Sequence, residues 1–319
     1  MNLQKDRILT RPIVVCLLAM ICCALWGSAF PSIKSGYSLF QIPQGNVSSQ
    51  ILFAGIRFFF AGVLTVLFGS MANRRPLLPR AGSWKRIGIL SGFQTILQYI
   101  PFYIGLAHAS GVKSSILVGT NVFLSILVAC LIFKQETLTN RKVLGSIIGF
   151  SGVVLVNLSG AKFSAELSFL GEGMILLSTV SNAFSSVLMK KFSRQDNPVL
   201  LSGYQFVLGG AVLAVLGFAA GGRITNWTAP GAFVLLYLAF LSAAAYSIWS
   251  ILLKYNPVSR VTIFGFMNPV FGVILSAVIL NEGQQAFGLK SLAALILVSL
   301  GIYIVNSAAA NRCPGPSAN

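Results

Sequence analysis

Apolar residues in this chain run unbroken instead of alternating or tracking one face of a helix. About ten stretches of roughly 18 to 22 residues are almost free of charge, and charged residues gather in the gaps between them. A run of that length crosses the hydrocarbon core of a bilayer as a helix, because a helix closes its own backbone hydrogen bonds there. The runs predict helices at about 12–33, 48–71, 84–107, 113–133, 141–159, 169–190, 198–219, 230–253, 259–280 and 287–308. The expected fold is an all-α polytopic membrane protein of ten transmembrane helices. Punctuation agrees with it: Arg74-Arg75-Pro76 fills one gap and Arg194-Gln195-Asp196-Asn197-Pro198 another. The basic start and the following apolar run look like a signal peptide, but the run over 12–33 exceeds an h-region of about 7–15 residues and is expected to stay as the first span. Residues 309–319, with Pro314-Gly315-Pro316, are expected to be a disordered tail.

Composition sharpens this picture. Of 319 residues 55% are hydrophobic and 9% charged, against about 25% charged in a soluble domain. The short loops leave no room for a sizeable soluble domain. The net charge of +17 invites a nucleic-acid partner, yet the Lys and Arg residues are scattered over loops instead of forming one basic face, so no nucleic-acid binding is expected. In a membrane protein the same excess orients the chain. With the N-terminus inside, seventeen cations fall in inner segments and five (Lys34, Lys113, Lys162, Arg223 and Lys290) in outer ones. Both termini are therefore expected on the cytoplasmic side of the cell membrane. Arg57 belongs to neither set, because it sits inside the second span.

The two halves resemble each other. Residues 53–68 (FAGIRFFFAGVLTVLF) align without gaps on 201–216 (LSGYQFVLGGAVLAVL), pairing Gly55 with Gly203, Arg57 with Gln205, Phe58 with Phe206 and Gly62 with Gly210. Further matches, at Glu136 with Glu282 and Asn157 with Asn306, keep nearly the same offset. The domains are then a first five-helix repeat at 12–159 and a second at 169–308. Five is odd, so the second repeat enters from the opposite side and the two are inverted. Such repeats place a site between them near the midplane and allow it to face each side in turn.

Several segments resemble the drug/metabolite transporter superfamily, in its EamA-type branch with two EamA repeats. They are ALWGSAFPSIKSG (24–36), GIRFFFAG (55–62), Glu136 at the end of the fourth span, MNPVFGVILSAVILNE (267–282) and GIYIVN (301–306). The resemblance covers about residues 12 to 308 and implies ten helices with cytoplasmic termini. It also implies efflux or exchange of small metabolites, often amino acids, through a central cavity. One departure stands out: the family commonly carries a proline in the fourth span, where this chain has Phe123 opposite Pro269. A helix break is accordingly expected only in the second half.

Candidate binding residues are the polar and aromatic groups inside spans. Arg57 leads, since an arginine at mid-span costs about 2.5–3.5 kcal/mol even on an insertion scale and needs a partner or a wet cavity. Its planar fork suits a substrate carboxylate; a structural arginine bonding carbonyls is the competing role. In the third span Gln94 and Gln98 share a helical face, as do Tyr99 and Tyr103, with Pro101 among them. Tyr246 and Trp249 occupy the matching region of the eighth span. These residues suit a cavity for an amphipathic metabolite, or else an interfacial belt. Asn121, Gln205 and Asn268 complete the binding set; inter-helix hydrogen bonding is their plainer use. Trp26 is ambiguous, and Glu136 and Glu282 read as caps or as ion pairs with Arg141 and Lys290. The five cysteines read as buried small hydrophobes.

Absences narrow the function. One histidine and six acids, none clearly mid-span, build no metal site, no catalytic triad and no evident proton relay. No phosphate-binding glycine loop occurs. The chain is expected to be no enzyme and to need no cofactor. The expected function is a secondary transporter or facilitator exporting amino acids or related metabolites, with a lipid or lipid-precursor flippase as the alternative. The partners are the lipid bilayer and a small solute for which a carboxylate is the fitting group. Stoichiometry stays open between monomer and homodimer.

Overall fold

The computed structural model describes residues 8–43, 45–109, 111–157, 168–279 and 289–310. They form ten helical spans in chain order. Here α1 is Pro12–Leu39, α2 Val47–Asn73 and α5 Asn140–Asn157. Helix α3 joins Ala81–Leu90, a π turn at Ser91–Ile96 and Leu97–His108. Helix α4 joins Gly111–Gly119, Asn121–Leu127 and a π turn at Val128–Ile132. In the second half α6 is Phe169–Gly173 continued by Met174–Phe192, α7 is Pro198–Ala219 and α8 is Ala229–Tyr255. Helix α9 joins Val258–Thr262, a 3₁₀ turn at Ile263–Phe266 and Met267–Ile279, and α10 is Leu289–Ala310. Five of these stretches, α1, α2, α3, α7 and α8, are long and apolar enough to cross a membrane by length and composition. The outer surface is apolar, with Leu17, Phe60, Leu67, Val215 and Ile296 exposed, as a bilayer requires.

Local chemistry starts the helices where the chain changes character. Asn46 caps α2 by accepting from the Ser49 N–H at 3.0 Å, and Thr228 caps α8 by accepting from the Gly231 N–H at 3.2 Å. Pro198 opens α7 behind the Asn197 cap, and Pro12 opens α1, where a missing N–H costs nothing.

Packing obeys the internal repeat. Helix α2 lies along α7 and α5 along α10; α1 packs on α8 and α9, and its counterpart α6 packs on α3 and α4. Glycines set the close approaches. A Cβ at Gly62 would lie 2.5 Å from Val207 N, and one at Gly210 would lie 2.3 Å from Phe59 N. A Cβ at Gly55 would meet Ala214, and one at Gly203 would meet Val66. Each contact maps onto its partner when the two repeats are exchanged at the sequence offset of 148. An exchange at the neighbouring offset of 149 relates Gly152 against Ala294 O to Gly301 against Gly145 O. The halves are thus related by a pseudo-two-fold through the α2–α7 crossing, in the manner of small-residue interfaces in membranes.

Three sequence expectations need correction. The break in α4 exists despite Phe123: the helix restarts at Asn121, as α9 restarts at Met267. Gly119 and Thr120 achieve it without a proline, the Thr120 hydroxyl donating back to Leu117 O at 2.6 Å. Glu136 pairs with Lys142 at 2.9 Å and not with Arg141, because the first turn of α5 points Lys142 toward the loop. The expected disordered tail starts too early, since Ala309 and Ala310 still belong to α10; residues 311–319, Glu282 and residues 158–167 between the repeats fall outside the described residues.

Candidate functional site at the repeat interface

Arg57 lies ten residues into α2, about 15 Å along its axis, and is 4% exposed. Its Nε and Nη2 donate to Ser242 Oγ on α8 at 3.2 and 2.9 Å. The Ser242 hydroxyl donates its own hydrogen to Leu238 O at 2.9 Å, which leaves its lone pairs for the guanidinium. Among the described residues no carboxylate forms a salt bridge with Arg57. Instead Tyr37, Tyr99, Tyr103 and Tyr246 stand within electrostatic reach of it, and its guanidinium lies 5.0 Å from the Phe58 ring centroid.

The aromatic groups form one cluster across the pseudo-two-fold. Phe58 stacks on its counterpart Phe206 at 5.1 Å. Phe58 also meets Tyr99 at 4.4 Å, while Phe206 meets Tyr246 edge-on at 4.8 Å. The Tyr99 and Tyr246 hydroxyls are 3.0 Å apart and share a hydrogen bond. Trp26 of α1 extends the cluster, edge-on to Tyr246 at 5.2 Å and to Trp249 at 5.0 Å. Its Nε1 is buried without a hydrogen-bond partner.

Gln205 occupies the position that mirrors Arg57. The Thr95 hydroxyl donates to its Oε1 at 2.7 Å, whereas Ser242 accepts from Arg57 on the other side. The Gln205 Nε2 is buried and unpartnered. Gln94 lies within the π turn of α3 and Gln98 two residues after it; irregular backbone of this kind inside a helix is frequent at functional sites. Ser178 and Ser181 of α6 brace it, donating to the carbonyls of Gln98 at 2.5 Å and Phe93 at 2.6 Å. Gln94 is buried and Gln98 half-buried next to Tyr246, and neither Oε1 has a partner. Such groups cost free energy in a closed interior and favour a ligand or water that satisfies them.

The expected residues thus divide. Arg57, Tyr99, Tyr103 and Tyr246 come together with Gln98 and Trp249 at the edge of the group. Gln205 lies at the mirrored position, and Gln94 is buried in the π turn of the same span as Tyr99 and Tyr103. Asn121 accepts from Ser125 within α4 at 3.4 Å, and the half-buried Asn268 keeps an unpartnered Oδ1 at the break of α9; no contact brings either to Arg57. Sequence reasoning overlooked Tyr37, Thr95 and Ser242. The offset of 148 that pairs Arg57 with Gln205 carries position 95 onto 243, one residue from Ser242, so it points near the last two without naming them. A cavity of about 520 Å³ lined by Cys130, Leu131 and residues 134–138 lies apart from this cluster, at the end of α4. Cys22 and Cys23 pack in the core, their thiols donating to Ala245 O and Phe264 O. No cluster of metal-ligating groups occurs among the described residues.

Comparison with known proteins matches this architecture. The model of the EamA-like transporter family fits twice, at residues 13–158 and 169–307. An uncharacterized transporter of Bacillus subtilis (strain 168), YvbV, is 27% identical over 300 residues, covering 91% of both chains. A probable amino-acid metabolite efflux pump of Escherichia coli (strain K12) is 25% identical over 90% of this chain and 93% of its own. The uncharacterized inner membrane transporter YedA of the same organism is 27% identical over 88% and 89%. A solved crystal structure shares the fold with a TM-score of 0.74 at 18% identity, over 94% of this chain and 99% of that one. Two matched halves, each with five spans and joined by a pseudo-two-fold, make this chain a member of the EamA-like transporter family: a multi-pass membrane transporter and not an enzyme.

Proposed function

We propose that the protein is a secondary transporter that moves amino acids or related small metabolites outward by alternating access, binding the substrate carboxylate at Arg57. The observation that carries this reading is a buried guanidinium with a serine and four tyrosines around it and, among the described residues, no carboxylate. A charge at that depth is costly unless a counter-group arrives, and the fork of two parallel donors fits a carboxylate. The aromatic wall from Trp26 to Tyr103 receives the apolar part of the solute. The name of the efflux pump in Escherichia coli supports a metabolite cargo.

Counterflow in proteoliposomes tests the reading. A labelled amino acid should accumulate transiently against an internal pool of the same compound, and its methyl ester should fail to compete. Equal competition by the ester removes the carboxylate from recognition; movement of fluorescent phospholipids with no solute counterflow establishes a flippase instead.

The positive charges of the loops support cytoplasmic termini. A reporter enzyme that folds only in the cytoplasm should be active when fused after residue 319. Activity restricted to a reporter of the opposite compartment would reverse the orientation and exchange export for import in the scheme.

A further inference from the structure

The two ends of the bundle are closed to different degrees. At the end that carries the N-terminal segment, Asn121–Leu127 of α4 packs on the first turns of α9. The other halves of the same two helices, Gly111–Gly119 and Met267–Ile279, make no comparable contact among the described residues. Inverted repeats would give both ends the same packing if the molecule sat at its symmetric midpoint.

Glu136 sits at the closed end, in the loop between α4 and α5, and its carboxylate crosses from the first repeat to the second. Oε1 accepts from the backbone N–H of Val258 and, at 3.3 Å, from that of Ser259. Oε2 accepts from the Ser259 hydroxyl and, at 2.9 Å, from Lys142 Nζ on α5. The start of α9 has no side-chain cap of its own: Pro257 precedes it and offers none. A carboxylate from the other repeat thus meets the free N–H groups and the positive end of the helix dipole. The Glu136 side chain is 7% exposed, so these are charge-assisted bonds in a poorly hydrated place. Neighbouring bonds close the same end: Gln135 Nε2 donates to Val187 O at 3.4 Å, and Asn256 Nδ2 donates to Leu9 O at 2.9 Å.

We propose that Glu136 is the latch that holds this end shut, a positioning residue that sets how readily the transporter opens there. It touches no substrate. Opening the end parts α4 from α9, and the carboxylate must then release Val258 and Ser259. This rests on the alternating-access reading above, and it adds a device to that cycle: a bond set that exists in one state and is absent in the other, which biases the equilibrium between them.

Gly265 offers a reporter position. It lies half-buried on the α4–α9 seam, and a Cβ there would meet only Val122, at 3.5 Å. In a full-length protein whose five cysteines are replaced by alanine, Gly265→Cys is alkylated by a water-soluble maleimide in proteoliposomes. With Glu136 intact labelling should be slow. Glu136→Gln should accelerate it about tenfold, the factor for losing one charge-assisted bond from a two-state equilibrium. Glu136→Asp should fall between, and Ser259→Ala should give a smaller rise. Gel filtration and the unfolding temperature identify folded protein; if Glu136→Gln does not fold, Ser259→Ala decides alone. Labelling that is unchanged or slower in the folded variant overturns the latch, whatever the transport assay gives. Faster labelling supports it even where no tested metabolite is carried, so the latch and the substrate reading fail separately.

Discussion

Replacing Arg57 by lysine should weaken substrate binding by about ten- to a hundredfold while leaving the protein folded. That range corresponds to the roughly 1.5–3 kcal/mol carried by a hydrogen bond to a charged group. Lysine keeps the charge but has no planar fork, so it cannot hold Ser242 Oγ and a carboxylate in fixed directions at once. The change also separates the two roles open to this residue. An arginine that only ties α2 to α8 would, on becoming lysine, lower the unfolding temperature and leave affinity per folded molecule alone. An arginine that reads the substrate would lose affinity, and ligand would no longer raise the unfolding temperature. Ser242→Ala gives the internal comparison, because it frees the guanidinium without removing it and should cost less affinity than the lysine variant. Isothermal titration and thermal unfolding of the same purified samples measure both quantities. Unaltered affinity in Arg57→Lys would take this residue out of the site and leave the tyrosines to bind an uncharged solute.

Much of the fold was legible because it is written in a long-range pattern. Runs of about twenty apolar residues have few physical solutions, and the gapless match of 53–68 to 201–216 already paired the glycines that pack at the centre. What the pattern hid depends on backbone detail. The break at Thr120 comes from a glycine and a back-bonding hydroxyl, and neither distinguishes it from the many glycines and threonines elsewhere in spans. The site was half legible. Arg57 declared itself by its cost in hydrocarbon, and the tyrosines by their isolation in apolar surroundings. Ser242 and Thr95 did not, because a lone hydroxyl inside a span usually bonds to its own helix, and only the fold shows that these two meet Arg57 and Gln205. Glu136 was read as a cap or a local ion pair; it is both, but the pair is with Lys142 and the helix it caps, α9, starts more than a hundred residues away.

Arg57 and Gln205 hold mirrored positions and each meets a hydroxyl from a neighbouring span, Arg57 donating to Ser242 and Gln205 accepting from Thr95. A site with a cation on one side of the pseudo-axis and a neutral amide on the other orients its ligand. Under the carboxylate reading proposed above, the acid group would sit at Arg57 and the free Gln205 Nε2 would take an uncharged acceptor.

The pseudo-two-fold makes its own prediction, and it concerns stability. Gly62→Ala and Gly210→Ala should each destabilise the protein, by about 1–3 kcal/mol as for overpacked cores, and by similar amounts, because the two positions are equivalent. At Gly210 the added carbon would sit 2.3 Å from Phe59 N and 2.8 Å from Gly55 O; at Gly62 it would sit 2.5 Å from Val207 N and 2.6 Å from Gly203 O. These are backbone atoms of the facing helix, which cannot rotate aside as a side chain could, so α2 and α7 must separate. Separation loosens the Phe58–Phe206 stack, one residue from Arg57 and Gln205, so transport should fall together with stability. Helix propensity opposes the effect, since alanine favours a helix over glycine by about 0.8–1.0 kcal/mol. Gly88→Ala isolates that term: nothing lies within 4 Å of a Cβ there, so it should leave the unfolding temperature unchanged or raise it. Unfolding of the three variants in one detergent decides the matter. If Gly62→Ala and Gly210→Ala are as stable as Gly88→Ala, the α2–α7 crossing is looser than described and the axis does not run through it. If only one of them is destabilised, the two repeats do not share that contact equally.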